Sequence, residues 1–95
     1  MSIECRILVV EDDELLTEAL REQFALHEEF EITVARTAAA AIDLVGQAEF
    51  DLILLDVGLP DQDGRETCKI MRKNKITTPI IMLTGATSEA DTILG

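Results

Sequence analysis

Two acidic clusters follow apolar segments of the chain, and their carboxylates could serve as nucleophiles or as ligands of a cation. Asp56 ends the segment Asp51–Asp56, which reads Asp-Leu-Ile-Leu-Leu-Asp. The acidic run Glu11–Glu14 follows a second apolar segment, Ile7–Val10. A carboxylate that an apolar strand delivers to a loop is held stiffly and kept partly out of water. This is the setting of an activated nucleophile or of a metal ligand.

Strand-like apolar segments alternate with segments of helical spacing, which predicts an α/β fold. The first and third strands are apolar on both faces, as is required in a parallel sheet with helices on each side. Right-handed crossovers would place the carboxyl ends of all the strands at one edge, where open α/β sheets bind their ligands. The predicted strands are Cys5–Val10, Phe30–Ala35, Asp51–Asp56 and Pro79–Thr84.

The same sheet edge would therefore collect residues from three separate segments of the chain, namely Glu11-Asp12, Asp56 and Thr84-Gly85. The carboxylates of these segments would repel one another, and a hard divalent cation would relieve the repulsion. Isolated from this context, Asp56 could simply form a turn, and the acidic run could simply begin a helix. Their common position at strand ends favours a site.

Helix signals fill the segments between the strands. Asp13 can cap the first helix and Thr37 the second, whose alanine-rich face can lie close to a sheet. Asp63 and Glu66 have the spacing of a capping box for the third helix, which ends in the basic stretch Arg72–Lys75, expected to be solvated. A fourth helix would begin at Ser88. We expect the buried stripe of the first helix to consist of Leu15, Leu16, Ala19, Leu20, Phe24 and Ala25.

Length and composition predict a single domain over residues 1–95, with 47% hydrophobic residues and a formal net charge of −11. The acidic balance argues against direct binding of nucleic acid or of an anionic membrane, because both require a basic surface. Cys5 and Cys68 are too few for a disulfide framework and are expected to be reduced. The N-terminus lacks a basic-then-apolar leader, and no apolar run approaches the roughly 18 residues of a membrane span, so we expect a cytoplasmic protein.

Taken together, these motifs resemble the receiver domain of bacterial two-component response regulators. The resemblance covers essentially the whole chain in the order and spacing of that family. It implies a flavodoxin-like, doubly wound parallel sheet with strand order 2-1-3-4, whose fifth strand, bearing a lysine and a switch aromatic residue, and fifth helix would lie beyond residue 95. The motifs that carry it are Ile7–Asp13, Asp51–Pro60 with Gly64, and Pro79–Gly85.

The resemblance also implies a role for each residue of the acidic edge. Asp56 corresponds to the aspartate that accepts a phosphoryl group. Asp12 corresponds to a direct ligand of Mg²⁺ and Glu11 to an acidic partner that acts mainly through water. Gly58, two residues beyond the acceptor, would offer its backbone carbonyl to the metal.

Four further residues match elements that shape and read the site in this family. Thr84 corresponds to the switch hydroxyl that moves toward the phosphoryl group, and Gly85 to the small residue that leaves the site open. Pro60 and Gly64 correspond to the turn that starts the third helix. The implied function is phosphorelay signalling: a sensor histidine kinase or phosphotransfer protein would donate the phosphoryl group, and the switch would control an output domain or partner. The domain would catalyse only its own phosphoryl transfer and dephosphorylation.

Two other functions are compatible with parts of the pattern. Phosphatases of the haloacid-dehalogenase kind also use an aspartate nucleophile with Mg²⁺, but they require a second aspartate two residues later, where this chain has Gly58. A receiver without efficient phosphorylation could instead act as an oligomerising or docking module. In either receiver reading we expect a dimer or larger oligomer, formed through the apolar edge strand Ile80–Leu83 or through the first helix.

Overall fold

Strands and helices alternate along residues 4–83, the part of the chain that the computed structural model describes. The strands form one parallel sheet in the order β2-β1-β3-β4, which confirms the predicted α/β fold with strand order 2-1-3-4. Thr84, Gly85 and the expected helix start at Ser88 lie outside the described residues. The elements are β1 (Cys5–Val10), α1 (Glu14–Ala25), β2 (Phe30–Ala35), α2 (Ala38–Gln47), β3 (Leu52–Asp56), α3 (Gly64–Lys73) and β4 (Ile80–Leu83).

The strand register aligns the carboxyl ends of β1, β3 and β4. Val10 at the end of β1 pairs with Leu55, one residue before Asp56. On the other side of β3, Asp56 itself pairs with Leu83. The residues that follow β1 and β3 therefore emerge side by side at one edge, as the sequence predicts.

The main hydrophobic core lies between the sheet and the pair α2 and α3. The chain steps from β1 to β2 in one direction and then from β2 to β3 and β4 in the other, so right-handed crossovers place α1 on the opposite face from α2 and α3. Alternate strand residues face this core, and the buried alanines of α2 allow that helix to approach the sheet closely. The core contains Leu8, Val10, Ala35, Ala38, Ala41, Ile53, Leu55, Leu59, Met71, Ile80 and Met82.

The predicted buried stripe of α1 is wrong for four of its six residues. Thr17, Leu20 and Phe24 face the sheet at a spacing of three and four residues, with Thr17 only 2% exposed. A helix turns by about 100° per residue, so apolar residues one position away from this line point to the side of the helix. The apolar stripe is thus wider than the line along which one helix touches a sheet. Leu15, Leu16, Ala19 and Ala25 are exposed.

The ends of α3 follow the sequence in part. Asp63 caps its N-terminus, with its carboxylate 2.7 Å from the Arg65 nitrogen, whereas Glu66 contacts Lys69 rather than completing a capping box. The prediction of a fully solvated basic end is wrong for Arg72, which is half-buried. Its Nη1 donates to the carbonyl of Ile76 at 2.6 Å, because the chain turns back across the helix end just beyond Arg72.

No helix within residues 4–83 is long and apolar enough to cross a membrane.

Candidate functional site

Three carboxylates meet at the carboxyl ends of β1 and β3. Glu11, Asp12 and Asp56 each offer an oxygen atom, and these three atoms lie within 4.8 Å of one another. The first two residues follow β1 directly, and the third is the last residue of β3. The pairing of Val10 with Leu55 brings the two strand ends together, so the cluster follows from the register of the sheet.

Glu11 is the most buried member of the cluster, with only 5% of its surface exposed. Its backbone N–H donates to the carbonyl of Ala35 at 2.9 Å, which continues the pairing of β1 with β2 by one residue. Its Oε2 accepts a hydrogen bond from the backbone N–H of Asp13 at 3.0 Å. Asp12 is exposed and Asp56 half-buried, so the cluster runs from the protein interior to the surface.

The surroundings of Glu11 disfavour its charged form. Burial is the largest cause and raises the pKa of Glu11 above its usual value. The N–H of Asp13 opposes this shift, while the negative charge of Asp56, a side-chain hydrogen bond to Asp56, and the charge of Asp12 add to it. An anionic cluster of this kind is electrostatically unfavourable unless a cation or a proton neutralises part of its charge.

No basic side chain neutralises the cluster within residues 4–83. The ion pairs of this part of the chain join Arg6 to Glu31, Arg36 to Glu14, and Lys69 to Glu66. Arg36 follows β2 near the same edge, but its Nη1 lies 3.4 Å from Oε2 of Glu14 and it makes no ion pair with Glu11, Asp12 or Asp56. Carboxylate oxygens without a basic partner are available to a cation, and Mg²⁺ takes oxygen ligands.

The loop between β3 and α3 folds back against Asp56. Gly58 and Asp63 form an isolated antiparallel bridge, and the N–H of Gly64 donates to the carbonyl of Val57 at 2.8 Å. A side chain at Gly58 would begin 4.0 Å from Oδ2 of Asp56, so this glycine lies next to the Asp56 carboxylate.

Gly64 is required where α3 begins. A Cβ at this position would lie 2.3 Å from the carbonyl oxygen of Asp56 and 2.9 Å from the Cα of Val57. These are backbone atoms, which cannot move aside as the end of a flexible side chain can. The start of α3 therefore packs directly against the strand end that presents Asp56, which gives a physical reason for the glycine in the predicted turn.

Asp61 is a member of this loop that the sequence analysis missed. Its two carboxylate oxygens accept hydrogen bonds from the backbone N–H groups of Ala38 and Ala39, at 2.9 Å and 3.1 Å. These hydrogen bonds lower the pKa of Asp61, the one from Ala38 contributing most. Only its position in an acidic turn could have drawn attention to it, because its partners are more than 20 residues away in sequence.

Among the site residues expected from the sequence, the structure brings together Glu11, Asp12, Asp56 and Gly58. Thr84 and Gly85 lie outside the described residues. The β4 residue that precedes them, Leu83, pairs with Asp56, and its carbonyl accepts a hydrogen bond from the N–H of Val57 at 3.3 Å.

Comparisons of sequence and of structure both relate this chain to response regulators. The chain is 39% identical to the transcriptional regulatory protein PmrA of Pectobacterium parmentieri over 90 residues, which are 95% of this chain and 40% of that protein. It thus spans about two fifths of this relative.

Two solved structures are similar to this chain. The receiver domain of the Francisella response regulator 1452 has a TM-score of 0.81 at 30% identity, covering 90% of this chain and 69% of that one. The response regulator TrrA of Thermotoga maritima, solved in complex with Mg²⁺ and BeF, has a TM-score of 0.79 at 33% identity, covering 92% and 74%. Residues 7–94 match the response regulator receiver domain. The chain belongs to this family, the receiver domains of two-component signalling.

Proposed function

We propose that the domain accepts a phosphoryl group on Asp56, in the presence of Mg²⁺, from a sensor histidine kinase or a phosphotransfer protein. The observation that carries this proposal is the group of three carboxylate oxygens within 4.8 Å, formed by Glu11, Asp12 and Asp56. Such a group binds no phosphoryl anion by itself, because like charges repel. With a divalent cation among the three carboxylates it can do so.

The ligand set suits Mg²⁺. This ion prefers oxygen ligands and keeps several of its waters, so one or two carboxylates and a carbonyl are sufficient. Asp12 is exposed enough to reach the ion directly together with Asp56, and the carbonyl of Gly58 would complete the protein ligands. Glu11 is buried behind them and would act mainly through a water molecule. The ion would neutralise charge and gather the phosphoryl oxygens.

The chemical step is a phosphoryl transfer between a nitrogen and an oxygen. A carboxylate oxygen of Asp56 attacks the phosphorus in line, an O–P bond forms, and the N–P bond of the donor phosphohistidine breaks. The donor imidazole leaves with the electron pair and takes up a proton from solvent. The role of the protein is largely to hold Asp56 rigidly, which β3 and the folded-back loop do.

The switch would follow from the new charge on Asp56. A phosphoryl group adds about −1.5 to −2 charges and three acceptor oxygens. Thr84 would donate its hydroxyl to one of these oxygens, with Gly85 leaving room for the movement, and the change would control an output domain or partner protein. Leu83, the residue that precedes Thr84 in the sequence, pairs with Asp56.

Self-association is a further part of the proposal. Leu15 and Leu16 on α1 are 83% and 40% exposed, and a dimer or larger oligomer through this helix or through β4 would cover apolar surface. Sedimentation over a concentration series tests this. A monomer at every concentration would contradict it. A domain that self-associates but takes up no phosphoryl group would instead favour the docking function.

Phosphorylation with a small donor tests the central chemistry. Incubation with acetyl phosphate and Mg²⁺ should add one phosphoryl group that is labile to hydroxylamine, as an acyl phosphate is. Borohydride trapping followed by mass spectrometry should locate it on Asp56, and Asp56→Asn should remove it. A label on His27 or Thr84, or a label that survives in Asp56→Asn, would contradict the assignment.

A further inference from the structure

We propose that Asp61 positions the metal-binding loop by fastening its tip to the N-terminus of α2. This inference rests on the proposed function, because the loop matters only if Gly58 and Asp56 hold Mg²⁺. Asp61 would touch neither the ion nor the phosphoryl group. It would act through the loop, as a positioning residue.

The contact is made by both carboxylate oxygens. Oδ1 accepts from the N–H of Ala38 at 2.9 Å and Oδ2 from the N–H of Ala39 at 3.1 Å. These N–H groups belong to the first turn of α2, where helical N–H groups have no partner within the helix. A carboxylate is also favoured there by the helix dipole. The residue type at position 61 therefore fits its contact.

The contact is not the helix's own cap. Thr37, the residue before α2, accepts a hydrogen bond from the N–H of Ala40 at 3.1 Å and so caps the helix locally. Asp61 instead joins two elements that are more than 20 residues apart in the sequence. A local cap stabilises one helix, whereas this carboxylate fixes the distance between that helix and the acceptor loop.

The loop is anchored to the α2 side at two neighbouring residues. Leu59 is 8% exposed and packs in the core that also contains Ala38 and Ala41. The small alanine side chains let α2 approach the loop closely enough for the contact of Asp61. One anchor is apolar and non-directional, and the other is a pair of directional hydrogen bonds.

The position of Asp61 explains why this second anchor would affect the metal site. The bridge between Gly58 and Asp63 closes the segment 58–63 into a small loop, and Asp61 lies within it. If the carboxylate is removed, Leu59 still holds the loop in the core. The directional hydrogen bonds that fix the rotation of the loop are lost. The carbonyl of Gly58 and the carboxylate of Asp56 beside it would then sample several orientations. Metal affinity depends on ligand orientation, so it should fall.

A purely structural role for Asp61 makes a different prediction, and a pair of variants separates the two roles. Asp61→Ala and Thr37→Ala each remove hydrogen-bond acceptors from the N-terminus of α2, so both should lower the unfolding midpoint. Only Asp61→Ala should weaken Mg²⁺ binding, by about tenfold, which is the scale at which residues behind the metal ligands act. Asp61→Asn keeps one acceptor oxygen and should be intermediate.

The experiment is an NMR titration of the intact chain with Mg²⁺, at a temperature where every variant is folded. Asp43→Asn serves as the charge control, because Asp43 is exposed on α2 and accepts a side-chain hydrogen bond from Gln47 in its own helix. The proposal is supported if Asp61→Ala and Asp61→Asn weaken binding while Thr37→Ala and Asp43→Asn match the wild type. It is overturned if Asp61→Ala binds Mg²⁺ as tightly as Thr37→Ala. If Asp61→Ala does not fold, equal binding by Asp61→Asn and Asp43→Asn overturns it.

The wild-type titration distinguishes this inference from the proposed function. If the wild type shows no binding of Mg²⁺, the proposed function and the role of Asp61 both fail. If the wild type binds Mg²⁺ through Asp56 and all four variants bind equally, the proposed function stands and only the role of Asp61 fails.

Discussion

An aspartate flanks β3 at each end, and the two have opposite surroundings. Asp51 at the amino end accepts a hydrogen bond from the Arg6 N–H at 2.8 Å and donates its own N–H to the Arg6 carbonyl at 2.7 Å. The Arg6 side chain in turn lies 3.1 Å from Glu31. Asp56 at the carboxyl end has the carboxylates of Glu11 and Asp12 as neighbours. One end of the strand is electrostatically satisfied, and the other is not.

This difference separates the residues that hold the fold from those available for chemistry. At the amino end, each charge has a donor or an opposite charge, and the result is a closed structural junction. At the carboxyl end, a rigid backbone holds like charges close together. Their repulsion lowers the stability of the folded state unless a ligand relieves it. Departures from local electrostatic satisfaction are expected at functional sites.

The two ends of β3 also differ in how tightly the chain packs around them. Gly64 at the carboxyl end has backbone atoms within 3 Å of the place where a Cβ would lie. Gly46, in the last turn of α2 near the amino end, has nothing within 4 Å of that place. The tightly packed end is the one that orients Asp56.

The largest effect should come from a methyl group added at the tight end. Gly64→Ala should lower the free energy of unfolding by about 3 kcal/mol or more, because the backbone of Asp56 and Val57 must shift. Gly46→Ala should raise it by about 0.5 to 1 kcal/mol, because alanine is the better helix former. Urea unfolding of both variants measures the contrast. Equal effects would mean that the two ends are packed alike.

The two aspartates at the ends of β3, Asp51 just before it and Asp56 as its last residue, should respond in opposite directions when their charge is removed. Without Mg²⁺, Asp56→Asn should raise the free energy of unfolding by about 1 kcal/mol, the scale of repulsion between charges a few ångströms apart in water. Asp51→Asn should lower it by about 0.5 kcal/mol, because a neutral amide accepts the Arg6 hydrogen bond more weakly. Denaturant midpoints in a metal-free buffer give both values, and destabilisation by Asp56→Asn would be inconsistent with a repulsive cluster.

The smallest effect concerns pH. Because burial and the neighbouring charges raise the pKa of Glu11, the folded state binds its proton more tightly than the unfolded state. The Glu11 contribution is therefore fully present below the unfolded pKa and is lost as the pH rises through the folded pKa. In metal-free buffer, the stability of the wild type relative to Glu11→Gln should increase as the pH falls from neutrality. A difference that is constant with pH would show that Glu11 is not perturbed.

Much of this arrangement could be predicted from the sequence. Apolar strands with acidic ends fix both the parallel sheet and the meeting of Glu11, Asp12 and Asp56, because side-chain alternation and crossover handedness leave few choices. The exposure of Leu15 and Leu16 could not be predicted, since apolar spacing shows which residues could be buried but not how wide the contact is. The contact of Asp61 with α2 could not be predicted either, because it depends on a distance in space that no local pattern encodes.

The most direct test of the central claim is the effect of Mg²⁺ on stability in the two aspartate variants. A ligand that binds only the folded state stabilises it by about 2.7 kcal/mol at 100 times its dissociation constant. Equilibrium unfolding at increasing Mg²⁺ should therefore show rising stability for the wild type and for Asp51→Asn, and little or no rise for Asp56→Asn. An equal rise in Asp56→Asn and the wild type would contradict the assignment of the metal and acceptor site to the carboxyl end of β3.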